Sequence, residues 1–558
     1  AFAGIACLSG LIFCVGLSIR SLWGPEGRWA LIVKGMLQSG NYFVPKVYGI
    51  IDFDKPLLSH WIMLPLVRSF GLTESVLRIP GALAGIATVL LIFVIGKRLF
   101  GTVAGVLASL VLMTSAMFVF WARVASAELF NLLGIWFMFW CFLAGAQEGR
   151  LKYVLLLYGS GAIAAFFKGP VAPALSVSAL LSYSMITAVL RWKDVKSQDK
   201  GSESNPYRRF FGKEFLWIAS WQGLAGVFVG TVVFLFLLLL PVLITGSWLG
   251  VQLMWKENVL RFFSPFDHRG PVYTYLVYGV MFSAPWTFLV VGSLLEIKRL
   301  DAGEPRRWTA LVATAIFLFF TLSGSRRSYY ILPLVPALAL ITGAVVSRWL
   351  ETAKKNAWRL MQSAAFATSA LIAIAGVSIL YAIIYLYPVS AAYRYYFIAV
   401  SLSTLLAGLL GMYLLIRRKE KECIALIFLF VFLLDLGGFT AGMQLVEGRR
   451  TLRAFCSEAA RQLANVEAER IGLFGEDASL LFYLKRDNLN VFYSIEQIKK
   501  FQKDHPDGFL IADLEVLEEF SKPEERAILQ AVMTQEPGMN ENRGQYALLR
   551  FAPETSLR

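Results

Sequence analysis

The 558-residue chain is 57% hydrophobic and only 16% charged, with a mean hydropathy of +0.61. That balance excludes an ordinary soluble protein, because the polar residues are too few to cover the apolar ones, and lipid must be the solvent for most of the chain. The formal charge of +15 does not imply nucleic acid, since the basic residues sit mostly at the ends of apolar runs.

A bilayer core about 30 Å thick needs roughly 20 apolar residues per helix. Runs of that kind fall near 1–22, 78–96, 101–121, 128–146, 151–167, 170–190, 217–246, 273–295, 308–323, 329–347, 361–387, 395–416 and 423–443, which makes thirteen spans. The first run, 1–22, is long enough to read as a retained span rather than a cleaved signal. Cys7, Cys14, Cys141, Cys423 and Cys456 have no metal-ligand spacing and read as buried thiols.

Alternate breaks between spans are rich in Lys and Arg: Lys97 with Arg98, Arg150 with Lys152, and the segments 191–213, 298–307, 348–359 and 417–421. The positive-inside rule puts these in the cytoplasm. The other loops, 23–77, 122–127, the turn at Lys168, 247–272, 324–328 and 388–394, then face outward, where Trp, Tyr, Pro and acids mix with the basic residues. From about residue 447 the composition turns soluble, with strand candidates IGLFGE (471–476), LNVFYS (489–494), GFLIAD (508–513) and YALLRF (546–551). The expected fold is an all-α polytopic membrane protein over 1–446, with a small α/β domain over 447–558 on the outer face.

The first outer loop, WGPEGRWALIVKGMLQSGNYFVPKVYGIIDFDKPLLSHW (23–61), is too long and too rich in aromatic and charged residues to be a simple connector. It reads as two amphipathic surface helices near 26–38 and 57–70. A glycosyl phosphate donor needs cations where charge builds on the leaving oxygen, and Lys55, Arg123, Arg269, Arg326 and Arg327 lie in outer loops. An acceptor hydroxyl needs a positioned carboxylate, for which Glu26, Asp54 and Glu128 are the candidates. Glu26 also suits the first turn of a helix after Pro25. Lys55 also suits an interfacial snorkelling lysine. Glu128 opens a span, so it either pairs with Arg123 or acts in the chemistry. The Tyr329–Tyr330 pair suits an interfacial belt as well as a sugar platform.

The order Glu-x-Arg-Trp-Ala, SGNYFVP and DKPLLSHW resembles the first outer loop of the polyprenyl-phosphate-dependent glycosyltransferases of GT-C fold, the superfamily of protein O-mannosyltransferases and aminoarabinose transferases. WARVASAELFNLL (121–133), FKGPVAPAL (167–175), HRGPVYTY (268–275) with SAPW (283–286), and RRSYYILPLVPALA (326–339) extend the resemblance over about residues 1–350. It implies an inverting transferase that uses an undecaprenyl- or dolichyl-phosphate sugar on the non-cytoplasmic face, here the periplasmic face of a bacterial inner membrane, with no nucleic-acid partner. The acceptor is a lipid such as lipid A, a glycan or a protein hydroxyl, and a divalent metal is an open option. By position, Glu26 matches an acid of the family's first loop and Lys55 the basic residue of its Lys-Pro motif. Arg28, Trp29, Tyr329 and Tyr330 are the substrate-pocket candidates. The family's Asp-Glu pair is Pro25-Glu26 here, and an Asp is Glu128, so the base stays open among Glu26, Asp54 and Glu128. A lipid or saccharide transporter needs ionisable residues along a path through the bundle. An inactive scaffold of the same fold is the remaining alternative.

Overall fold

The computed structural model describes residues 1–198, 212–260, 270–271, 273–352, 358–386, 391–447, 451–486, 489–522, 526, 529–535 and 545–551. The chain forms two compact units. The first comprises Ala1–Val15, Phe53–Ser59 and Ile79–Gly437; the second comprises Gly16–Asp52, His60–Arg78 and Gly438–Arg558.

Among the described residues, eight helices are long and apolar enough to cross a membrane, or nine if the bent pair Thr102–Met113 and Ala116–Ala122 counts as one span. The other four expected spans are helical but shorter, broken or charged at one end. They are Phe2–Cys14, Glu128–Ala144, the pair Thr274–Met281 with Thr287–Glu296, and Glu304–Leu322. The breaks have local causes. The 69° bend falls at Thr114 and Ser115, whose hydroxyls donate back to the Leu110 and Val111 carbonyls, while the Ala116 amide turns out of the helix ladder to the Ala284 carbonyl. Pro285 interrupts the 273–295 run because it brings no amide donor.

Lipid exposure is plainest in Trp221–Thr245, where only 6% of the apolar window is buried and Phe228, Phe236 and Leu243 project outward. No soluble protein leaves such a surface bare. Elsewhere helices approach closely through small residues, as membrane helices do in the absence of a hydrophobic drive between them. A Cβ on Gly343 would lie 2.5 Å from the Ala108 amide, and one on Gly408 would lie 2.4 Å from that of Ala373. The thiol expectation holds for Cys141, Cys423 and Cys456, but Cys7 and Cys14 are exposed on the flank of the first helix. Apolar sequence marks lipid contact and core burial alike.

In the second unit, Glu26–Ser39 is one helix, as the amphipathic pattern requires, and a two-residue hairpin follows, β1 (Lys46–Val47) and β2 (Ile50–Ile51). The single helix expected at 57–70 is instead Leu58–Trp61 and Leu64–Phe70, divided where Pro65 begins the second piece. The α/β portion has β3 (Ile471–Phe474), β4 (Asn490–Phe492), β5 (Phe509–Asp513), β6 (Leu529–Thr534) and β7 (Tyr546–Phe551), in sheet order β4-β3-β5-β7-β6. β3 is parallel to β4 and β5, whereas β7 is antiparallel to β5 and β6. Alternate residues feed two cores: Ile471, Leu473, Ile511 and Leu548 on one face, Phe474, Leu510, Ala512 and Leu549 on the other. All four strand candidates from the sequence are strands. β6 escaped because it is an exposed edge with little apolar alternation.

Candidate functional site

Within the first unit a cavity gathers charge inside an apolar body. Its lining draws on five stretches that are distant in sequence. Asp54 and Lys55 come from the Phe53–Ser59 segment, Glu128 and Asn131 from the start of helix Glu128–Ala144, Lys168 from the last residue of Leu151–Lys168, and Ser323, Ser325 and Tyr330 from the connection after Glu304–Leu322. Phe319, Phe320, Leu332 and Pro333 supply apolar wall, and Glu257 a further carboxylate.

Local chemistry holds these pieces. The buried Ser59 hydroxyl donates to the Phe167 carbonyl at 2.5 Å, tying the Asp54–Lys55 segment to the end of the helix that carries Lys168. The Trp136 indole donates to the Pro333 carbonyl at 3.2 Å, tying helix Glu128–Ala144 to the wall after Tyr330. Glu128 and Asn131 are three apart, so both face the cavity.

Glu128 and Lys168 form the central ion pair, with Nζ 2.5 Å from Oε2. Arg123 was one expected partner of Glu128; the structure supplies Lys168 instead. The Lys168 ammonium also lies 4.8 Å from the Tyr330 ring centre and 5.3 Å from that of Tyr329. Lys55 pairs with Asp54 at 3.0 Å, and both remain partly exposed. Two cations, three carboxylates and the Tyr330 ring thus share one cavity.

Other expected residues take different work. Arg123 is buried and donates to the carbonyls of Ile12 and Val15, the latter at 2.7 Å, so it closes the end of helix Phe2–Cys14 rather than facing the cavity. Arg326 binds the Gly270 and Thr321 carbonyls at 2.6 and 3.1 Å, and braces the connection. Arg327 donates to the Tyr329 hydroxyl at 2.9 Å, and its charge acts on Lys168. Tyr329 packs on Trp121, while Tyr330 reaches the cavity itself. Arg269 lies outside the described residues.

Glu26, Arg28 and Trp29 belong to the second unit and are not part of the cavity's lining. Glu26 is fully buried: Arg78 grips it with both prongs, Nε to Oε1 at 2.7 Å and Nη2 to Oε2 at 2.6 Å, and the Trp23 amide donates to Oε2 at 2.9 Å. Arg78 further donates to the carbonyls of Leu17, Arg20 and Ser21. These bonds tie Glu26 to Arg78 and to the backbone at Trp23, whereas the first-loop resemblance makes Glu26 one of three candidate bases. Arg28 pairs with Asp52, and the buried Trp29 packs edge-on against His60 at 5.0 Å. Nearby, burial and the Glu74 carboxylate push the Tyr483 phenol above its usual range.

Lys168, Asn131, Ser325 and Glu257 are the cavity residues that sequence reasoning missed. Lys168 ends an apolar run and looks like a terminal snorkelling lysine, although FKGP marks it within a motif. Asn131 is the signal that was available, an amide one turn into an apolar helix. Among the described residues no three His, Cys, Asp or Glu side chains gather closely enough to hold a metal ion.

A family model described as dolichyl-phosphate-mannose-protein mannosyltransferase matches residues 54–198, the stretch that holds Asp54, Lys55, Glu128, Asn131 and Lys168. An undecaprenyl phosphate-alpha-4-amino-4-deoxy-L-arabinose arabinosyl transferase of Pseudomonas aeruginosa is 26% identical over 365 residues, 61% of this chain and 58% of the relative. The match thus spans less than two-thirds of that relative's length. Crystal structures of ArnT from Cupriavidus metallidurans, one bound to undecaprenyl phosphate and one apo, align with TM-scores of 0.67 and 0.69. They are 19% and 20% identical, and each alignment covers 99% of this chain and 98% of that one. The chain is therefore a multi-pass membrane protein with the GT-C fold, similar in sequence to aminoarabinose transferases.

Proposed function

We propose that this protein is an inverting glycosyltransferase that moves a sugar from an undecaprenyl (polyprenyl) phosphate to a lipid, glycan or protein acceptor at the periplasmic face of a bacterial inner membrane. The observation that carries the reading is the cavity that joins Lys55 and Lys168 to Glu128 and Asp54 inside an apolar, aromatic wall. The donors named for the similar transferases carry a phosphate, a sugar and a long apolar chain, and the cavity offers chemistry for each part.

Lys55 and Lys168 stabilise the phosphate as it gains charge on leaving, an effect strongest in a site that excludes water. Glu128 takes the acceptor's proton while the hydroxyl attacks the sugar carbon opposite the phosphate, which inverts the configuration there. Asp54 holds Lys55 in place, and the rings of Tyr330, Phe319 and Phe320 offer apolar surface to the sugar face and the first isoprene units.

The test is binding of a polyprenyl phosphate, and transfer from its glycosylated form, by the purified full-length protein. Lys55→Ala should weaken both about tenfold or more, because a charge-assisted contact contributes roughly 1.5–3 kcal/mol. A well-folded Lys55→Ala protein with unchanged binding removes Lys55 from the site. Donor binding with no transfer to lipid, glycan or protein fractions leaves a scaffold, not an enzyme.

A further inference from the structure

Asn131 and Ser325 are among the polar side chains of the cavity that have no part in the chemistry above. Asn131 and Ser325 are 3% and 2% exposed, both line the cavity, and neither Asn131 Oδ1 nor Ser325 Oγ has a hydrogen-bond partner among the described residues. Buried polar atoms are nearly always paired, so two orphans lining one cavity point to a ligand that pairs them.

Both positions are built. Asn131 lies one turn beyond Glu128, with its amide bonded to the Ala127 carbonyl at 3.1 Å. Ser325 sits on the connection braced by Arg326, and its carbonyl accepts from the Ser323 hydroxyl at 3.3 Å.

The kind of atom narrows the ligand. A glycosyl phosphodiester is a monoanion whose oxygens only accept hydrogen bonds, so it suits Lys55 and Lys168 and is repelled by an amide carbonyl oxygen. The orphan on Asn131 is such an acceptor. Turned over, the same carboxamide presents an N–H, and a partner that both donates and accepts satisfies it in either orientation; on a polyprenyl-phosphate sugar such partners are the hydroxyl groups of the ring. Ser325 can donate or accept, and suits a neighbouring hydroxyl.

We infer that Asn131 and Ser325 read the donor's sugar, and that this sugar presents a hydroxyl group to Asn131. The inference rests on the donor assignment above, and the two are separable. Sites that pair a buried polar group with a substrate hydroxyl reject analogues lacking it, because the protein group is then left unpaired.

The experiment measures binding and steady-state transfer by the full-length protein. The probes are polyprenyl phosphate without sugar, the same carrier bearing mannose, glucose or 4-amino-4-deoxyarabinose, and mono-deoxy analogues of whichever sugar binds best. Asn131→Leu should weaken binding of the preferred sugar-bearing donor about tenfold while leaving the sugar-free carrier within about twofold. Its discrimination against one deoxy analogue should collapse. Ser325→Ala should act in the same direction by a smaller factor, and Asn131→Ala provides a second truncation. Lys55→Ala, in contrast, should weaken carrier and donor equally. Equal losses on both probes in the Asn131 and Ser325 variants, or no loss on either, overturn the inference. A change in acceptor KM with donor discrimination intact overturns it too, since the sugar read is then the acceptor's. Failure of the wild-type protein to bind the sugar-free carrier sinks the donor assignment itself.

Discussion

Glu26 and Glu128 are both buried acids at the start of a helix, and both are paired with a cation, yet the pairing differs in what it leaves free. Arg78 holds both oxygens of Glu26, and no part of that side chain reaches solvent. Glu128 meets Lys168 through Oε2 and fronts a cavity. Glu128→Gln should therefore lower turnover by about 10²–10⁴-fold, the usual range for loss of a general base, with donor affinity changed only a few-fold. Glu26→Gln should instead leave Arg78 charged, buried and half-satisfied, which costs roughly 3–5 kcal/mol of stability, while the folded fraction keeps its turnover. Thermal unfolding and kcat on both variants separate the two roles. A Glu26→Gln protein with wild-type stability and lost turnover would return the base to Glu26. Sequence could not tell these acids apart, because Arg78 stands 52 positions beyond Glu26 and Lys168 stands 40 beyond Glu128.

Elements were more legible than their partners. Apolar runs located the helices, and charge marked their ends, but continuity failed wherever a side chain or a proline competes with the helix ladder, as at Thr114, Ser115 and Pro285. The soluble strands were legible because two-sided burial leaves apolar runs such as the FLIAD of β5. What sequence withheld is the partnership inside the second unit between helix Glu26–Ser39 of the first loop and the helix Ala478–Leu484. Gly27 is the point of contact, since a Cβ there would lie 2.5 Å from the Ser479 amide nitrogen and 2.8 Å from the Ala478 carbonyl carbon. The Leu22 amide adds a 2.8 Å bond to the Tyr483 hydroxyl, which itself donates to Glu74 at 3.0 Å. Backbone atoms cannot swing aside, so Gly27→Ala should destabilise this unit by about 1–3 kcal/mol despite alanine's better helix propensity. Earlier protease nicking within 438–558 of the full-length variant is the expected readout. Wild-type resistance would mean that the two helices do not pack as described.

At the scale of the whole molecule, the distribution of charge carries the orientation. The segments 97–98, 150–152, 191–213, 298–307, 348–359 and 417–421 concentrate Lys and Arg, whereas the Asp54–Lys55 segment and the α/β portion mix both signs with aromatics. The positive-inside rule acts on short loops next to spans, so the proposal predicts the first set in the cytoplasm and the site on the opposite face. The prediction is checked in a background with the native cysteines replaced, which matters because Cys7 and Cys14 are exposed. Lys500→Cys, on an exposed helix position of the α/β portion, should react with a membrane-impermeant maleimide in intact cells. Ser39→Cys, at the exposed end of the first-loop helix, should react likewise. Ser202→Cys, which lies outside the described residues, should react only after the membrane is opened. A polyprenyl-phosphate sugar presented to the periplasm needs Lys55 on the side where Ser39 and Lys500 react. Labelling of Ser202→Cys in sealed cells, with Lys500→Cys protected, would invert the topology and move the proposed transfer to the cytoplasmic face.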